Sequence, residues 1–239
     1  MTPRHTRGRV TLLVMSLFAA GCSGASKEST APTTSADTVV VVEDSVPSGE
    51  TAPADSAERA DPPRGLSETE AHELLIGFDT ADQVSFSVLA QDRSDPGLLA
   101  AARRSLDAGA TGDERWAATY VWVNEGDDAA PLIGLLAADD AAIRVMAATG
   151  LLARGREDGF EPLFALIVDD SLRPGHPPSQ VWRDAAVALA RYTAISELGP
   201  PLDASPAQRQ LARTKWQAWF GEHRNALNFD AEVALWLAG

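Results

Sequence analysis

The chain is poor in the residues from which disulfide-stapled and catalytic sites are built. It has one cysteine in 239 residues, Cys22, so no internal disulfide can hold a fold together and the core must come from apolar burial. The four histidines, His5, His72, His176 and His223, stand far apart, and none belongs to an H-E-x-x-H run or a Cys/His ligand set. G-x-S-x-G and a phosphate-cradling glycine loop are missing too. These absences leave no legible catalytic group, cofactor site or metal centre, and we read the chain as not an enzyme. Positive charge is scarce: 20 Lys and Arg face 34 Asp and Glu, for a net charge of −14. Such a surface excludes nucleic acid, which needs a basic footprint, and charge-driven adhesion to anionic lipid. The apolar run Val10–Ala20 is shorter than the about 18–20 residues that span a bilayer as a helix.

What precedes Cys22 is informative. Arg4, Arg7 and Arg9 make a positive start without an acid, Val10–Ala20 has secretory length, and Ala19-Ala20-Gly21 are small residues suited to a peptidase. With the lone cysteine behind them, residues 1–21 resemble the signal peptide and lipobox of a bacterial lipoprotein, although Ala19 stands where that pattern usually has leucine. The resemblance implies cleavage before Cys22, acylation of Cys22 by two or three chains, and stable anchoring in the bilayer of the cell envelope, with the folded part on the extracytoplasmic side. Ordinary secretory cleavage is the alternative, and it would leave an unpaired thiol in an oxidising compartment. Either cut removes three arginines and takes the charge of −14 to about −17.

Residues 22–66 form the next segment. They are rich in Ser, Thr, Ala, Pro, Asp and Glu and contain no aromatic residue, so they cannot bury enough apolar surface to offset the entropy of ordering. We read a disordered tether, ~35 Å across as a coil and up to ~145 Å when stretched. Its one apolar stretch, Val39–Val42, reads as a blip in the linker or as a short docking peptide.

From Ser67 onward helix signals recur. Ser67-Glu68-Thr69-Glu70 is a capping box, and Thr80-Ala81-Asp82-Gln83 has the same form ahead of Val84, Val88 and Leu89. Asp95-Pro96 opens a helix whose stripe is Leu98, Leu99, Ala102 and Leu106. Self-similarity follows at a period near 30: Ala117-Ala118-Thr119 matches Ala147-Ala148-Thr149, and Pro131-Leu132 with Leu135 matches Pro162-Leu163 with Leu166. Trp182–Leu189 repeats the first helix of the unit after a proline-rich insertion, Ser171–Gln180. Two helices per unit at this period mean stacked hairpins. Ala207–Glu222 should be a helix carrying Trp216, Trp219 and Phe220, and with Trp236 on a short last segment these aromatics should seal the last repeat.

The Ala-rich helices, above all Ile143–Leu151, and the helix-starting Pro131 and Pro162 resemble HEAT-type repeats, in particular the short HEAT-like repeats of phycobilin lyases. The resemblance implies an all-α fold for residues 67–239, a short α-solenoid of about five helical hairpins. It also implies that the second helix of each hairpin lines a concave face.

Three features compete for function. The acidic pairs Asp127-Asp128, Asp139-Asp140 and Asp169-Asp170 lack calcium-loop spacing, and Asp140 is placed to cap a helix over Ala141–Arg154, so we assign no metal. His223, at a helix C-terminus, has a sufficient reason in the helix dipole. The apolar excess of Pro131–Ala138 and Phe160–Val168 points instead to a groove in which Leu135, Phe164 and Ile167 contact an envelope protein or peptide. The same excess would arise if those helices were wedged between neighbours or covered by Ser171–Gln180. The reading is a membrane-anchored interaction module, with a small-ligand accessory domain or a structural spacer as the alternatives.

Overall fold

A computed structural model of the protein describes residues 65–239; residues 1–21, Cys22 and Val39–Val42 lie outside the described residues. The described part is mostly helical. Helix α1 (Glu68–Ile76) starts at the expected capping box: the Ser67 hydroxyl accepts from Glu70 N at 3.3 Å, and the Glu70 carboxylate accepts from Ser67 N at 2.8 Å. Helix α2 (Gln83–Asp92) begins two residues later than the Thr80 pattern predicts. Asp82 is its cap, accepting from Val84 N and Ser85 N and from the Ser85 hydroxyl. Thr80 instead donates to Asp113 at 3.0 Å, joining the α1–α2 turn to α4 (Gly112–Glu125).

Asp95 caps α3 (Pro96–Asp107) through Gly97 N and Leu98 N, and its second oxygen accepts from Leu66 N at 3.0 Å. The arriving chain is thereby clasped to α3. Glycine is required at 97, because a Cβ there would lie 2.5 Å from Leu66 O. Helices α5 (Ala130–Leu135) and α7 (Phe160–Leu166) are short partners of the longer α6 (Ala141–Ala153) and α8 (Val181–Thr193). Pro131 and Pro162 fall in the first turns of α5 and α7, where an N–H would have no helical acceptor.

Helices α4, α6 and α8 pack side by side, with α3 against α4, α5 against α6, and α7 against both α6 and α8. The matching Ala pairs stand at these contacts, since Ala117, Ala118, Ala147 and Ala148 are all fully buried. Thr119 and Thr149 also match: each hydroxyl donates to the carbonyl four residues earlier, Arg115 O and Val145 O, at 2.7 Å. Helix α6 is central. Ten of its thirteen residues are buried, and it contributes to the core of α1–α4 as well as to the core of α7–α9, as an all-round apolar helix must.

Arginines link neighbouring elements. Arg154 reaches from the end of α6 to the end of α4, where Nη2 donates to Trp122 O, Val123 O and Gly126 O at 2.8, 3.1 and 2.5 Å and Nη1 donates to Gly150 O at 2.7 Å. Burial pushes its pKa below the ordinary guanidinium value. Arg209 of α9 (Pro206–His223), itself buried, makes a two-pronged contact with Asp170 while lying over the Trp182 ring.

The strands are the departure from a purely helical expectation. Leu172–Arg173 (β1) pairs with Ser179–Gln180 (β2) inside the insertion, and Leu227–Asp230 (β3) pairs with Leu235–Ala238 (β4) at the C-terminus, both antiparallel. Among the described residues there are nine α-helices rather than about ten, and Trp236 sits on β4. Its indole Nε1 donates to Leu152 O at 3.2 Å, and Phe160 meets its ring edge-on. Opposite it, Phe229 fills the space over Gly155, whose φ of +68° also demands glycine.

Candidate functional site

The three residues assigned to a partner groove part company in the structure. Phe164 and Ile167 are fully buried, so they cannot meet a partner without opening the core. Helix α7 is enclosed by α6, α8 and α9, and Phe164 packs edge-on against Phe220 at 5.6 Å. This corrects the groove reading for those two residues. Their all-round apolar character reflects wedging between neighbours, the other outcome the sequence allowed. In the insertion, the His176 ring meets Phe86 of α2 at 5.4 Å.

Leu135 is different. It is half-buried in the wall of an open groove of about 310 Å³ between α3 and α5, closed at one end by the start of α4. Leu106, Ala110, Pro131 and Ala138 complete the apolar lining, and the Arg115 guanidinium, which donates to Ala110 O, stands at its edge. Gly134 opens the groove further, because a Cβ there would meet nothing within 4 Å. Small residues at 134, 137 and 138 and the glycine turn at 109 therefore shape the cleft. The sequence carried these small residues in plain view, but that α3 lies across from them became legible only in the fold.

Each acidic pair has at least one carboxylate engaged in bonding within the fold. Asp140 caps α6 through Ala142 N at 2.7 Å. Asp169 accepts from Ser171 N and pairs with Arg144 at 3.4 Å. The Ala130 backbone N–H and then Arg103 hold the Asp128 carboxyl below its ordinary pKa, and Arg209 does the same for Asp170. Among the described residues no three His, Cys, Asp or Glu side chains gather around a point that can hold a metal ion.

No family model, curated protein or solved structure matches this chain. The geometry of its own surface therefore carries the functional argument. The histidines add no paired chemistry: His72 is exposed on α1, His176 lies against Phe86, and His223 stacks on Trp219 with Nδ1 2.8 Å from Trp219 O. An aromatic ladder that the sequence did not announce runs beside α2. Trp116 is stacked between Phe78 and Tyr120 at 5.4 and 5.6 Å, with Phe86 edge-on at 5.0 Å. It joins the α1–α2 turn, α2 and α4, and through His176 it ties in the insertion.

Proposed function

We propose that the protein is a lipid-anchored interaction module of the cell envelope. In this reading Cys22 is acylated, residues 23–66 are the tether, and the helical part is a short HEAT-like solenoid that binds a protein or peptide and performs no reaction. What supports the repeat reading is the side-by-side packing of α4, α6 and α8 with the matching Ala and Thr positions of α4 and α6. The observation that carries the binding reading is the open α3–α5 groove, with Leu135 in its wall and Gly134 leaving room. Its apolar lining with one cationic edge group suits a peptide segment whose backbone or acidic side chain meets Arg115 and whose apolar side chain enters the cleft.

The test is crosslinking in cells of the producing organism, followed by capture and mass spectrometry, with Gly134→Trp and Cys22→Ala forms alongside. A partner retained by the wild type and lost with Gly134→Trp supports binding at this groove. Loss of membrane fractionation with Cys22→Ala supports the anchor. Equal capture by wild type and Gly134→Trp refutes the groove, and unchanged fractionation of Cys22→Ala refutes the acylation.

A further inference from the structure

A second apolar cleft lies between α1 and α2, with a volume of about 240 Å³. Leu74, Phe78, Val84 and Val88 line it, and Glu73 stands at its edge. Val84 is 66% exposed and Val88 39%, unusual for valines on a helix whose other large aliphatic, Leu89, is fully buried. At the opposite end of the fold the corresponding apolar surface is covered, by Trp216 and Phe220 of α9 and by Trp236 of β4. Among the described residues nothing comparable covers the α1–α2 face.

Charge decides what fits there. Residues 65–92 carry Glu68, Glu70, Glu73, Asp79, Asp82 and Asp92, one histidine, His72, and no lysine or arginine; every lysine and arginine of the described part lies at or beyond Arg93. Four of these acids have local partners, Glu68 with Arg104, Glu70 with Ser67 N, Asp79 with Ala81 N and Asp82 as the α2 cap, but of these bonds only that of Glu68 is to a cation, so the face stays negative. The chain's own Val39–Val42 is flanked by Asp37, Glu43 and Asp44, so its docking would set carboxylates against carboxylates. A second copy would bring the same acidic face and a net charge of −14. A cationic segment is the occupant whose charge complements the rim while its apolar side chains enter the cleft.

We propose that the α1–α2 face is a docking site for a cationic amphipathic helix, seated with its apolar stripe on Leu74, Phe78, Val84 and Val88 and its Lys or Arg residues against Glu73, Asp79 and Asp82. A cleft between two helices offers a third helix a groove into which a ridge of its side chains can pack. Anchors at i, i+3, i+4 and i+7 of the incoming helix face one way and match the valines, one turn apart, on α2. This inference stands apart from the α3–α5 groove, and either can fail without the other.

The probe is a synthetic helix of about four turns with leucine at i, i+3, i+4 and i+7 and lysine elsewhere, together with a glutamate-for-lysine form and a scramble of equal composition. Fluorescence anisotropy against the full chain reads affinity. The expected result is binding of the lysine helix, with at least tenfold weaker binding of the scramble and the glutamate form. Val84→Asp with Val88→Asp should weaken it at least tenfold, while Val187→Asp, a matched exposed valine on α8, leaves it unchanged. Both α2 positions are exposed, and Val84 lies in the first turn, where Asp is favoured, so melting of the variants followed by circular dichroism should match the wild type and exclude unfolding as the cause of lost binding. Equal binding of the scramble, equal loss with Val187→Asp, or no loss with the α2 variants means diffuse attraction to an acidic protein and overturns the proposal. A tenfold gain on deleting Val39–Val42 would identify the chain's own segment as occupant and overturn it as well.

Discussion

Replacing Arg154 with methionine removes a guanidinium that satisfies four carbonyls at once, and the structure sets the size of the loss. Trp122 O keeps a second donor, because Gly126 N also reaches it at 2.9 Å. Val123 O, Gly126 O and Gly150 O lose the Arg154 donor. An unsatisfied polar group costs ~1–3 kcal/mol, toward the low end where water can reach a helix end. Methionine fills the stem and avoids the cost of burying a charge, which offsets part of the loss. The balance is a destabilisation of about 3 kcal/mol, or roughly 6–12 °C in melting temperature for a domain of this size. Lysine keeps the charge and has three donors, but one nitrogen cannot reach acceptors spread over two helix ends, so Arg154→Lys should fall between wild type and methionine. The assay is thermal and urea unfolding of the full chain followed by helical circular dichroism, with the exposed Arg191→Ala as control. A shift below about 2 °C for Arg154→Met, or lysine equal to arginine, would refute the claim that this guanidinium couples α6 to α4.

Gly134→Ala should raise stability by up to about 1 kcal/mol, because an exposed helical glycine is exchanged for alanine with empty space around the new Cβ. Gly155→Ala should lower it by about 3 kcal/mol, since the φ of +68° and a Cβ only 2.5 Å from Phe229 act together; urea midpoints of the two variants should move in opposite directions. Phe164→Ala should cost about 3–5 kcal/mol, and its failures of binding in cells should track unfolding measured on the purified variant. Acidification should weaken the fold below about pH 4. The carboxyls of Asp82, Asp128 and Asp170 titrate below their ordinary value when folded, so their stabilisation is full above that value and fades as pH falls through the folded one. Asp82→Asn should flatten this dependence in a pH series of melting temperatures.

Local chemistry made much of the helical framework readable in advance. The Ser67 box, the Asp95-Pro96 start and the Asp140 cap each rest on residues within three positions of one another, and each forms as expected. Thr80 failed as a cap because Asp82 offers two carboxylate oxygens to the α2 amides while Asp113, 33 residues away, captures the threonine hydroxyl. The strands were invisible because two- and four-residue segments are too short to establish an alternating pattern. The site was legible only in outline. An apolar excess in α5 and α7 said that something must cover them, but which side α9 and the β3–β4 hairpin would take depends on contacts such as Trp236 to Leu152, 84 residues apart. Cys22 and the valine run, on which the anchoring and tether readings rest, lie outside the described residues.

The clasp between Leu66 and Asp95 sets how the protein meets a mechanical load. A pull on the chain ahead of Gly65 arrives first at Leu66, whose N–H is held by the carboxylate that also caps α3. The force therefore enters at a bond bridging 29 residues before it can unwind the first turn of α1. Resistance at that point is shared by α1 and α3, which pack on each other, so the helix nearest the pull is not peeled away alone. Removing the carboxylate with Asp95→Ala would leave α1 as the first element to yield.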